Sequence, residues 1–96
     1  MAWHISGTAF LFLDSDPKLR VKIGRFRMAA GRSTKDSCDA DLAPNRKRRE
    51  ADLKTLAMTG PHYTRAIEAF NQRFGSPAKF TGLSVEMQDV GCEQVG

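Results

Sequence analysis

The sequence predicts an α+β domain of β-β-α-α-β order, two layers deep, with a small three-stranded, mainly antiparallel sheet and helices on one face. Three observations predict it. From Trp3 to Met28 apolar and polar side chains alternate with the period of strands. From Asp41 to Phe74 apolar residues return at helical spacing, divided by the breaker Thr59-Gly60-Pro61. From Lys79 to Gln88 the alternation resumes.

Trp3 to Leu13 reads as the first strand, rich in β-branched and aromatic residues. One face carries Trp3, Ile5, Ala9, Leu11 and Leu13, the other His4, Ser6, Thr8, Phe10 and Phe12. "DSDPK" is turn chemistry, and the strand after it forms a hairpin with the first. In that second strand Leu19, Val21 and Ile23 alternate with Arg20 and Lys22; after Gly24 the phase slips to Phe26 and Met28 against Arg25 and Arg27. A β-bulge at Gly24 keeps the apolar residues together and sets Arg20, Lys22, Arg25 and Arg27 in a row on the opposite face.

Residues 31–43, small and polar without periodicity, read as a long loop. A helix is expected to begin between Asp41 and Asn45, with Pro44 in its first turn, and to end near Met58. Its first half, "NRKRRE", is polar all round and should project beyond the body of the domain. Thr59 is expected to cap a second helix whose buried stripe is Tyr63, Ala66, Ile67, Phe70 and Phe74, closed by Gly75 and Pro77. In the last strand Leu83, Val85 and Met87 alternate with Ser84, Glu86 and Gln88, and residues 89–96 read as a loose tail.

A length of 96 residues corresponds to a single domain, 1–96, with a modest core. Such a core suits a compact binding module better than an enzyme with a deep cleft, and it gains from assembly, a homodimer included. No apolar run approaches the ~18 residues of a membrane span, and the start lacks the basic region of a signal peptide. The expectation is a cytoplasmic protein with Cys38 and Cys92 as free thiols and no membrane partner.

No catalytic or cofactor motif is present. His4, His62, Cys38 and Cys92 are isolated from one another in sequence, without the paired spacing of a zinc site or the local pattern of a nucleophile–base pair. "DSCDAD" lacks the glycine and final glutamate of a calcium loop. In "GRFRMAAGRSTK" an arginine, Arg32, stands where a phosphate-binding loop needs lysine. No catalytic residue, metal or cofactor is therefore expected.

What remains is charge. The chain carries 15 basic and 11 acidic residues, a net charge of +4. Seven bases and no acid lie between Lys18 and Lys35. The row Arg20, Lys22, Arg25 and Arg27, extended by Arg32 and Lys35, stands side by side at about 7 Å along a strand, comparable with the spacing of phosphates on a nucleic-acid strand. Guanidinium forks suit phosphates and carboxylates. In "NRKRREADLK" the pairs Arg46–Glu50, Arg48–Asp52 and Glu50–Lys54 fall four apart and offset one another, leaving Lys47 and Arg49 for a partner. Phe12, Trp3 and Tyr63 are candidate apolar anchors.

"DLKTLAMTGPHYTRAIEAFNQRFG" resembles a helix-turn-helix, and "FNQRFGSP" is similar to the end of the second helix in regulators of the AraC type. The resemblance covers about a quarter of the chain, departs from the pattern at Pro61, and implies a DNA-binding regulator reading a groove through His62, Arg65 and Arg73. The leading expectation is different: a non-enzymatic protein that docks a basic surface stoichiometrically on an acidic protein surface, a nucleoprotein complex or a nucleic acid. In type it resembles phage and mobile-element accessory proteins that inhibit host defence, as anti-CRISPR proteins do.

Overall fold

The computed structural model describes residues 2–75 and 82–95. Strand β1 (Ala2–Leu13) is followed by strand β2 (Asp16–Arg32), helix α1 (Lys35–Met58), helix α2 (Pro61–Phe74) and strand β3 (Leu83–Val95). The sheet has the order β2-β1-β3 and is antiparallel throughout. The expected α+β order and sheet are present. Lys79 and Phe80, where the sequence places the start of the last strand, and Pro77 lie outside the described residues.

β1 is central. Its helix-facing side chains Ile5, Ala9, Leu11 and Leu13 are buried. Ala9, Leu11 and Leu13 meet Ala57 of α1, Ala66 and Phe70 of α2 and Val85 of β3 in one cluster, flanked by Tyr63, Ile67 and Phe74 from the expected α2 stripe. Ile5 meets Cys38, Leu42 and Leu53 of α1 in a second cluster. The bulge read at Gly24 is there: Ala9 faces Gly24 while Phe10 faces Lys22, so Ile23 is the extra residue. Leu19, Val21, Ile23, Phe26 and Met28 accordingly all pack on the helix side.

Three stretches differ from expectation. Residues 31–43 are no long loop, because β2 runs to Arg32 and α1 begins at Lys35. Thr34 caps that helix, its hydroxyl accepting from the Ser37 N–H at 3.1 Å. Cys38 and Leu42, one turn apart, bury the new helical segment, so "NRKRRE", expected to open the helix and project, lies in mid-helix instead, with Arg46 bonded to the Val90 carbonyl and Arg49 half-buried. Pro44 then falls inside the helix and not in its first turn; Asn45 leaves helical geometry (φ −114°, ψ 15°), and its side-chain amide donates to the Asp41 carbonyl at 2.9 Å. The proline kinks the helix, and the asparagine satisfies a carbonyl that the kink frees.

Residues 89–95 are no loose tail. Asp89 takes a left-handed conformation (φ 55°), and the β1–β3 register slips between Ser6 and Thr8. After this slip Val90 and Cys92 point to the helix side, continuing the face of Val85 and Met87. Cys92 there forms a disulfide with Cys38, across a Cα–Cα distance of 6.2 Å. The expected free thiols are thus a cross-link between α1 and β3. Thr59, expected to cap α2, instead closes α1 by bonding the Leu56 carbonyl. Gly60 is the α2 cap, with Pro61 in the first turn.

Candidate functional site

Both helices cover one face of the sheet, so the other is open. Its centre is the outward row of β1: Ser6, Thr8, Phe10 and Phe12. On β2, Arg27, Arg25, Lys22 and Arg20 stand beside them in the same order. On β3, Gln88, Glu86 and Ser84 pair with Thr8, Phe10 and Phe12, and Glu93 pairs with His4. The open face therefore has a basic rail, a hydroxyl-and-phenylalanine centre and an acidic rail. The bulge at Gly24 and the slip at Asp89 keep both rails in phase.

The rails are connected. Arg20 reaches Glu86 at 3.1 Å, and its guanidinium lies 5.9 Å from the ring centres of both Phe10 and Phe12. Arg25 donates to Ser6 Oγ at 2.8 Å and Thr8 Oγ1 at 3.1 Å, satisfying two buried hydroxyls. Arg25 and Arg27 both approach Glu93, at 3.5 and 3.8 Å. These ionic side chains stay between about a third and a half exposed. Lys22 is exposed and has no ion-pair partner among the described residues. The row of four exists as expected, but three of its members already have carboxylate neighbours.

The other four candidates lie elsewhere. Arg32 and Arg49 share the mostly buried Asp41 carboxylate, at 3.1 and 3.4 Å. Arg49 also approaches Asp52 at 3.9 Å. The expectation that Arg49 is unpaired fails because it stands seven residues after Leu42 and four before Leu53, on the buried side of α1. Lys35 bonds Asp39 at 2.8 Å; that hydrogen bond and the opposite charge raise the Lys35 ammonium above its ordinary pKa. Lys47 is exposed with no ion-pair partner among the described residues. The expected four-apart pairs of "NRKRREADLK" do not form among the described residues; Arg46 instead donates to the Val90 carbonyl at 2.8 Å.

Of the candidate anchors, Phe12 lies on the open face, joined by Phe10. Trp3 and Tyr63 pack on the helix-side clusters. Sequence reasoning missed Glu86 and Glu93 as neighbours of the basic row. The signal was present in the shift from Met87 to Val90 and Cys92, which parallels the slip read at Gly24. With both cysteines in the disulfide, neither is a thiol nucleophile in this state. Among the described residues no group of three His, Cys, Asp or Glu side chains converges as metal ligands, and no helix is long and apolar enough to cross a membrane. Thr59–Gly60 does join two helices, as the helix-turn-helix resemblance implies, but both are packed on a sheet. The fold is that of a two-layer α+β domain, and comparison with protein-family models, curated proteins and solved structures returns no match.

Proposed function

We propose that this protein is a non-catalytic binding module that docks its open sheet face stoichiometrically on an acidic partner. The observation that carries this reading is the row Arg20, Lys22, Arg25 and Arg27 on a face neither helix covers, beside the half-buried rings of Phe10 and Phe12. The internal ion pairs do not argue against it. Exposed pairs contribute about 0–1 kcal/mol each, so a partner's carboxylates or phosphates can replace Glu86 and Glu93 at small cost. Lys22 offers a cation that needs no exchange. The rings give the face an apolar centre, where affinity concentrates. The acidic partner is a protein surface or a nucleoprotein complex, and inhibition of a host defence complex by a phage-type accessory protein fits a chain of this kind. Action in the cytoplasm requires the fold to persist with Cys38 and Cys92 reduced.

A second reading, direct binding of nucleic acid, is favoured by Phe10 and Phe12 themselves. Aromatic rings beside a basic rail form a platform on which single-stranded bases stack.

Affinity capture from bacterial lysate, with and without nuclease, tests both. The informative variant is Arg20→Ala, Lys22→Ala, Arg27→Ala with Arg25 retained, since Arg25 holds Ser6 and Thr8. Its circular dichroism should match the parent, while recovery of the partner falls by about tenfold or more. Full recovery by a folded triple variant would sink the docking reading. A partner lost on nuclease treatment would favour the second.

A further inference from the structure

The outer edge of β2 provides another surface, adjoining the open face at Lys22. β2 pairs with β1 on one side only, and among the described residues no strand occupies its other edge. Such an edge presents backbone N–H and C=O groups to any extended chain. Alongside it runs α2, and between the two lies a groove of about 290 Å³. Val21, Lys22 and Ile23 line it from the strand; His62, Arg65, Ala66 and Ala69 line it from the helix. The helical residues are spaced i, i+3, i+4 and i+7, one face that shares Ala66 with the buried stripe.

The lining specifies a chemistry. Val21, Ile23, Ala66 and Ala69 make an apolar floor, and two alanines leave room between helix and strand. Lys22, His62 and Arg65 are exposed at the rim, and no acidic residue lines the groove. His62 is held edge-on against Phe26, with ring centres 5.9 Å apart. The strand portion spans about 7 Å and the helical portion about 10 Å, the length of three or four extended residues.

We propose that this groove binds an extended acidic peptide segment by strand addition on the outer edge of β2. Main-chain hydrogen bonds to the edge give the segment its direction, and alternate small apolar side chains enter the groove. Carboxylates on the segment meet the Arg65 fork at the rim of the groove. The charge complementarity selects an acidic peptide over a basic one.

The test is an amide-shift titration of the whole protein with a synthetic octapeptide of alternating valine and glutamate. Its companions are the same peptide with lysine for glutamate, two peptides N-methylated on the valines or on the glutamates and so on opposite edges, and the parent peptide against Arg65→Glu and Ala69→Trp variants. Both substituted positions are exposed, and a dispersed amide spectrum verifies each fold. Saturable shifts should be confined to Val21–Ile23 and the 62–69 face of α2. Affinity should fall about tenfold or more for each variant, for the lysine peptide and for the peptide methylated on its pairing edge. Absence of saturable shifts, or equal binding when either edge is methylated, would overturn strand addition. Shifts centred on Phe10, Phe12 and Arg27 would overturn it too while supporting the open-face reading.

Discussion

At Gly7 of β1 the sheet leaves little room for a side chain. This glycine lies opposite the slip in β3, and a Cβ there would meet Met87 Cε and Val90 Cγ2, each at 3.0 Å. Gly7→Ala therefore requires the Met87 and Val90 side chains to yield by a few tenths of an ångström. The expected loss is about 1–3 kcal/mol, or about 4–8 °C of Tm for each kcal/mol in a domain of this size. Gly91→Ala is the control, because a Cβ there meets nothing within 4 Å. Equal melting temperatures for the two variants would disprove the close approach at Gly7. Arginines were harder to assign than glycines. Arg20, Lys22, Arg25 and Arg27 were legible as one row, since alternation and a single bulge fix their face. Whether each was free was not legible, because Glu86, Glu93, Ser6 and Thr8 reach them from other strands. Arg49 was misassigned for a related reason. Its place on the buried side of α1 depends on Leu42, and Leu42 was not recognised as helical.

At the scale of elements, the parts read correctly were those with a dense period, β1 and the stripe of α2, and β2, whose one interruption is marked by Gly24. The parts misread were those where a period is interrupted or sparse. The first turns of α1 bury only Cys38 and Leu42 before Pro44, so they lack the dense stripe that marks a helix. In β3, Asp89 breaks the alternation as Gly24 does in β2, but without a glycine to mark the slip only the shift from Met87 to Val90 and Cys92 signals it. The disulfide was obscured by the same two errors, which left both cysteines in irregular chain. It ties α1 to β3 across a sequence separation of 54 residues. Closing a loop of that length restricts the unfolded chain, and removing the bond should cost about 2–4 kcal/mol. The double variant Cys38→Ala, Cys92→Ala should melt at least about 10 °C below the oxidised parent. Reductant should lower the parent toward the variant and leave the variant unmoved. A parent indifferent to reductant would mean the cross-link contributes nothing. A reduced form that still folds at 37 °C would keep action in a reducing compartment open to the protein.

For the whole molecule, the folding of charge matters more than its total. A net charge of +4 describes the chain, yet the fold places Glu86 and Glu93 across from the basic rail and so shortens the range of its field. Carboxamides at both positions, Glu86→Gln with Glu93→Gln, remove the opposing charge and keep the side-chain shape. The stability cost should be small, about 1 kcal/mol or less per exposed pair. Affinity for an acidic probe, such as a polyglutamate peptide or an oligodeoxythymidylate, should rise about three- to tenfold at low ionic strength. The gain should come mainly from faster association and shrink as salt approaches 1 M, where the Debye length falls to about 3 Å. Which probe responds distinguishes the two partner classes: base stacking on Phe10 and Phe12 benefits only the oligonucleotide. Identical affinities for parent and variant at low salt, for both probes, would mean that acidic partners do not meet this face at all.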